Sequence, residues 1–287
     1  MGRADVRAVI LGIVLAAAAG LARADGWELT ASAGKVFPFY DQTFEYDPGA
    51  LASPIPGATL EQRGVFMLDA RGGLALSLAL ARDLGRHVAL EARLDTADVS
   101  VNTIGARYRL RATLPAPLPP LSADVDLGTG TVDLERLRPL SLDLRLRGGR
   151  RTPLAVSAGV SWLPGFRLVV NQAIGIGLPG LSGSRLALDV AQVGLTAEAL
   201  PSERGQGRFG GNAALSIGVP LGRRVTLVLD GRYFRFQKQT LHWERAQTSG
   251  ALPAIQESLV RQVESKLEPV VFNPTFFHTS LGLVLGF

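Results

Sequence analysis

The chain has 287 residues, of which 47% are hydrophobic, with 30 Lys and Arg against 25 Asp and Glu and no Cys. A formal charge of +5 spread over that length argues neither for nucleic-acid binding nor for an acidic tail. Without cysteine there is no disulfide framework, no thiolate metal site and no lipid-attachment residue behind a leader.

Residues 1–24 read as an address. Arg3 and Arg7 precede an apolar run from Ala8 to Leu21, and Ala22-Arg23-Ala24 offers an A-x-A cleavage site. The run is shorter than the roughly 20 residues of a helical span, so a cleaved signal peptide is preferred to a retained anchor. Residues 25–287 then form one domain, because no Pro/Gly/Ser linker divides them. Beyond Leu21 no apolar run reaches the length of a membrane helix, and the pattern has period two instead.

The first predicted strand, near Trp27–Val36, sets Trp27, Leu29, Ala31 and Ala33 on one face and Glu28, Thr30, Ser32 and Gly34 on the other. A second places Leu74, Leu76, Leu78 and Leu80 on one face. After the turn at Arg82–Arg86, a third alternates Val88, Leu90, Ala92 and Leu94 with Ala89, Glu91, Arg93 and Asp95. The fourth sets Leu140, Leu142, Leu144 and Leu146 against Ser141, Asp143, Arg145 and Arg147. Past the turn at Gly148–Arg151, the fifth alternates Leu154 through Trp162 with small residues, and the sixth covers about Phe209–Val219. A turn at Pro220–Arg223 leads to the seventh, with Val225, Leu227, Leu229 and Tyr233 opposite Asp230, Arg232 and Phe234. The eighth ends the chain, with Phe277, Leu281, Leu283, Leu285 and Phe287 opposite His278, Ser280, Gly282 and Val284.

Three connections in this series are short turns and the other four run to tens of residues. Long loops are uncommon inside a compact soluble domain, whereas short periplasmic turns facing long extracellular loops are the normal asymmetry of outer-membrane barrels. The expected fold is an all-β, transmembrane, antiparallel up-and-down β-barrel of about eight strands, with ten left open by residues 164–207. A soluble β-sandwich would also alternate. Its second face, however, should favour Lys, Glu and Thr, and here that face is rich in Gly, Ala and Ser, which suit a narrow lumen. Strands of ten residues at about 3.3 Å each, tilted about 40°, cover roughly 25 Å of membrane. Trp27 and Phe287 fall at one end of that height and Trp162, Tyr233 and Phe277 at the other, where interfacial girdles belong.

Three segments carry a resemblance: "LSLDLRLRGGRRTPLAVSAGVSW", "GGNAALSIGVPLGRRVTLVLDGRYFRF" and "FNPTFFHTSLGLVLGF". They resemble the strand-turn-strand unit, penultimate hairpin and closing strand of the small eight-stranded outer-membrane protein W-like and protein A-like barrels. The resemblance implies a bacterial outer-membrane, non-enzymatic, porin-like barrel that is structural or passes small molecules, apolar ones included. It implies outer-membrane lipid and the barrel-assembly machinery as partners, the latter reading a closing segment in which Leu285 stands where tyrosine is frequent. No nucleic acid, cofactor or metal is expected, and any small-molecule ligand is unknown.

Parity turns Glu28, Glu91, Arg93, Asp95, Asp143, Arg145, Asp230 and Arg232 into the lumen, where charges must pair or reach water. They are read as a salt-bridged plug, with a charged conduit or gate as the alternative. His278 and Ser280 form an H-x-S pair similar to that of outer-membrane lipid A deacylases, but both point inward and no acidic residue follows at that family's distance, so no catalytic residue is assigned. The loops at 97–136 and 237–273 suggest surface binding or adhesion as the alternative function. Within them Arg107, Arg109 and Arg111 precede a Pro-rich turn, and folding back there brings Arg111 near Asp126 in a polar hairpin. Residues 253–267 read as an amphipathic helix with Ile255, Leu259, Val263 and Leu267 on one face, capping the barrel mouth. Residues 186–199 are left open between helix and strand.

Overall fold

A computed structural model describes residues 26–47, 57–148, 154–182, 185–199, 207–246 and 254–287. The signal-peptide reading and the tip of the 148–151 turn lie outside these residues. In chain order the strands are β1 (Trp27–Pro38), β2 (Asp41–Tyr46), β3 (Thr59–Asp83), β4 (Val88–Thr113), β5 (Leu121–Asp126), β6 (Thr131–Leu134), β7 (Leu140–Arg147) and β8 (Leu154–Leu163). They continue as β9 (Leu168–Ser182), β10 (Arg185–Ala199), β11 (Arg208–Pro220), β12 (Val225–Phe236), β13 (Gln239–Leu241), β14 (Glu244–Arg245), β15 (Val270–Phe272) and β16 (Thr275–Gly286). A helix, α1 (Ala254–Lys266), lies between β14 and β15.

Eight of these strands close a ring in the order β3–β1–β16–β12–β11–β8–β7–β4, sealed by pairing of β3 with β4. Every seam is antiparallel and hydrogen-bonded, including the one that joins the first strand to the last, where Leu29 faces Leu285 and Phe37 faces Phe277. They are the eight strands expected from alternation, and the described residues of 164–207 add none to the ring. Period-two patterning fixes which face is which. Leu142 is 55% exposed and Leu283 46%, while Asp143 is fully buried and Ser280 nearly so. An apolar wall outside and a polar interior invert the arrangement of a soluble barrel and are those of a transmembrane one. Among the described residues no helix is long and apolar enough to cross a membrane; the strands do so.

Opposite the short turns, the segments expected as loops are largely strand. β3 and β4 run on past the ring as one long hairpin flanked by β2 and β5. The hairpin turns its alternation over twice. A register shift between Gly72 and Ala75 moves the inward set from odd to even positions, so that Leu68, Phe66, Gln62 and Leu60 face inside above it. Gly105, at φ +66°, does the same for β4 and turns Ala106, Tyr108, Leu110 and Ala112 inward. The chain folds back after Thr113 as expected, but the register differs by four residues. Arg107 stands opposite Asp126, Arg109 binds Asp124 at 2.7 Å, and Arg111 faces Ser122. Nor is the hairpin polar on both faces, since its inner face carries part of an apolar core.

That core fills a compartment above the ring. Residues 186–199, left open by sequence, are strand: β9 and β10 pair as a hairpin that β6 and β14 extend into a four-stranded sheet. Phe44 stacks on Phe66 at 4.7 Å, and Trp243 meets both edge-on at 5.7 Å. Helix α1 falls within the predicted 253–267 and contributes Val260 and Val263 to the same core, with Leu267 just after it; the side chains of Ile255 and Leu259 are outside the described residues. Arg245 anchors the helix through Glu257 at 2.8 Å and Glu264 at 3.0 Å. Beyond its short pairing with β6, the β9 edge is satisfied by side chains. Gly177 N donates to Tyr108 Oη at 2.8 Å, Gln62 Nε2 donates to Gly177 O at 2.8 Å, and Gly175 N donates to Tyr46 Oη at 3.1 Å. A Cβ at Gly175 would sit 2.5 Å from the Tyr108 ring, so only glycine allows this approach. Burial raises the hydroxyl pKa of Tyr46 and Tyr108 above the ordinary tyrosine value, which keeps both available as donors.

Candidate functional site: a charged plug inside the barrel

Inward positions of β1, β4, β7 and β12 bring the charges together. Arg232, 1% exposed and the largest fully buried side chain among the described residues, reaches from β12 to Asp143 on β7 and to Glu91 on β4 at 3.0 Å, with Asn212 and Ser157 as further partners. The span is possible because Gly159 stands between Asp143 and Asn212 in register; a Cβ there would lie 2.3 Å from Asp143 Oδ1. Arg93 binds Asp95 at 3.0 Å and Asp230 at 3.3 Å. Arg145 links Glu91, at 3.5 Å, to Glu28, at 3.3 Å. Thus all eight lumen charges expected from parity belong to one connected set.

Other members carried no charge-pattern signal or lay at its margin. Ser77 donates to Asp95, Ser216 donates to Asp230 at 2.6 Å, and Asn212 Nδ2 donates to Asp143 at 2.7 Å. Arg147 bridges Glu28 at 2.9 Å and Asp83 at 2.8 Å at the short-turn end. Inward parity held the signal for each of these, but nothing local separates a lumen serine that pairs with a carboxylate from one that merely fills space.

The set closes the lumen. The void beside it, bounded by Thr30, Glu91, Arg93, Ser216 and Asp230 among others, measures about 10 Å³, about one water molecule. Buried ions of this kind are tolerated only when paired and hydrogen-bonded. The chemistry available is therefore mutual neutralisation and cross-bracing of opposite walls.

His278 lies in the same layer, with Nδ1 3.5 Å from Asp95 Oδ1. The carboxylate that sequence could not locate downstream thus comes from β4. Even so, neither His278 Nε2 nor Ser280 Oγ has a hydrogen-bond partner, so the nucleophile–base contact is not made. Both side chains face the occluded interior, where no lipid ester reaches.

The five aromatics lie at the ends of the ring strands. At the short-turn end Arg82 stands 5.5 Å over the Trp27 ring, and Phe287 N donates to Trp27 O at 2.9 Å. At the other end Trp162 pairs across the seam with Phe209, and Tyr233 pairs with Phe277. Apolar wall, polar plug and aromatic ends together make the ring a small outer-membrane barrel.

The architecture is similar to three solved barrels. Outer membrane protein OprG from Pseudomonas aeruginosa has 10% identity and a TM-score of 0.41 over 92% of this chain and 96% of that one. The outer membrane protease OmpT from Escherichia coli has 8% identity and a TM-score of 0.37 over 92% and 98%. Neisserial surface protein A has 11% identity and a TM-score of 0.35 over the same shares. No protein-family model and no curated protein matches the sequence.

Proposed function

We propose that the protein is a non-conducting outer-membrane barrel: a cross-braced anchor that carries an ordered compartment at the cell surface. The observation behind this is the plug, in which Arg232, Arg93 and Arg145 form ion pairs with four buried carboxylates beside a void of about 10 Å³. Of the two roles that resemblance suggests, structural support and passage of small molecules, this geometry supports the first. Lateral escape of apolar solutes needs an opening in the wall, and all eight seams of the ring are paired.

Planar-bilayer recording tests the proposal. The wild-type protein is expected to show no stepwise conductance, whereas Arg232→Ala together with Asp143→Ala removes the central brace and should produce small steps. Regular wild-type conductance would reject it.

A second reading, surface binding, is favoured by the outer face of the β3–β4–β5 sheet, where Arg63, Arg107, Arg109 and Arg111 stand exposed. Deleting residues 104–133 is an unsuitable test, because it removes Tyr108, Leu110 and Leu127 from the core. Changing Arg107, Arg109 and Arg111 to Gln leaves the core intact; unchanged adhesion of cells carrying that variant would reject this reading.

A further inference from the structure

The outward positions of β1, β16 and β12 form three adjacent strips of wall. Reading up from the short turns they are Trp27, Leu29, Ala31, Ala33, Lys35 and Phe37; Leu285, Leu283, Leu281, Thr279, Phe277 and Thr275; and Val225, Leu227, Leu229, Gly231, Tyr233 and Arg235. No carboxylate occurs among them. Two cations do, Lys35 and Arg235, both in the upper third where the wall leaves the hydrocarbon. Both are exposed, and among the described residues neither forms an ion pair.

Between the two cations lies an aromatic floor. Phe37, Phe277 and Tyr233 are direct cross-strand partners in one row. The Phe277 ring leans over Gly231, where a Cβ would stand 3.1 Å from its tip. Phe39, 58% exposed, adds a fourth ring 6.2 Å from Tyr233. Lys35 Nζ rises to 5.5 Å over the Phe37 ring, so its charge points up towards the head-group level. Arg235 lies between Gly211 and Thr275, and a Cβ at Gly211 would meet nothing nearer than 3.7 Å, so no side chain at that position shields the guanidinium. Two strand spacings across and four residues along separate the cations by roughly 16 Å at Cα, a gap wide enough for a disaccharide head.

We propose that this strip is a seat for one phosphorylated glycolipid of the outer leaflet, with its sugar pair over the aromatic floor and a phosphate against each of Lys35 and Arg235. An unpaired cation at the head-group level gains most from a lipid phosphate, and an arginine can hold one through two parallel N–H donors. The inference rests on the outer-membrane reading above. It does not depend on whether the lumen conducts.

The test uses the full-length protein in detergent, titrated with lipid A bearing two phosphates and with the same lipid after dephosphorylation, and read by native mass spectrometry. At roughly fivefold per cation, the wild type should retain the two-phosphate lipid about 25-fold better. K35Q/R235Q should bind both lipids alike, R235K alone should keep part of the preference, and R136Q, an exposed arginine paired with Asp98 of β4, should change nothing. Equal wild-type binding of the two lipids would overturn the proposal, as would a double variant that keeps the preference. Heat-modifiable gel mobility reports insertion separately: a wild type that does not insert defeats the outer-membrane reading itself, and a variant that does not insert leaves the wild-type lipid comparison to decide.

Discussion

Arg232 shows what the lumen asks of a single side chain. Its guanidinium serves Asp143, Glu91, Asn212 and Ser157 at once, so its loss leaves two carboxylates short of a partner in a sealed space. Arg232→Met should therefore destabilise the barrel by about 3–5 kcal/mol, the usual cost of stranding a buried charge. Adding Asp143→Leu should recover part of that loss, because Glu91 still has Arg93 and Arg145. Urea midpoints in lipid vesicles, followed by tryptophan fluorescence, check both; a single variant within 1 kcal/mol of wild type would show that the brace is not supporting the wall. Alternation was enough to name the eight charges but not their pairings. Which arginine meets which acid depends on the diagonal offset of register around eight strands, and that offset appears only once the ring is closed.

At the scale of elements, legibility follows burial. Strands with one face to lipid alternate cleanly, and each of the eight was readable. In the upper compartment the pattern weakens, because strands there are covered on both faces: Leu168-Val169-Val170 in β9 is buried without a break. The double reversal of parity at Gly72–Ala75 and Gly105 also interrupts the alternation in β3 and β4, so their upper halves read as loop. Helix α1 was legible because its period survives. The side-chain clasp on β9 was not, since it depends on tyrosine and glutamine meeting the backbone of a distant hairpin. Tyr108→Phe removes one acceptor and one donor from that clasp and should weaken hairpin docking by about 1–2 kcal/mol. Faster amide exchange in residues 172–199, with β11, β12 and β16 unchanged, is the expected reading; uniform exchange would show that the clasp contributes nothing local.

For the whole molecule, the seam between β1 and β16 decides whether there is a barrel at all. Phe287 stands where this seam meets the membrane interface, and its backbone N–H and C=O both bind the foot of β1, at Trp27 O and Gly26 N. An open edge in lipid leaves backbone groups unsatisfied at several kcal/mol each, and Phe287→Asp adds a charge at that edge and alters the segment expected to be read by the assembly machinery. The variant should accumulate mostly as heat-unmodified, uninserted protein; insertion equal to wild type would count against this reading of the closing segment. The same seam has a consequence in time. Because Trp27–Pro38 has Phe276–Gly286 as its partner, a chain emerging in order holds its earliest strand half-paired until the latest one arrives. No part of the cylinder can be completed early, and whatever shelters the waiting edge of β1 must stay there through the delivery of about 240 intervening residues.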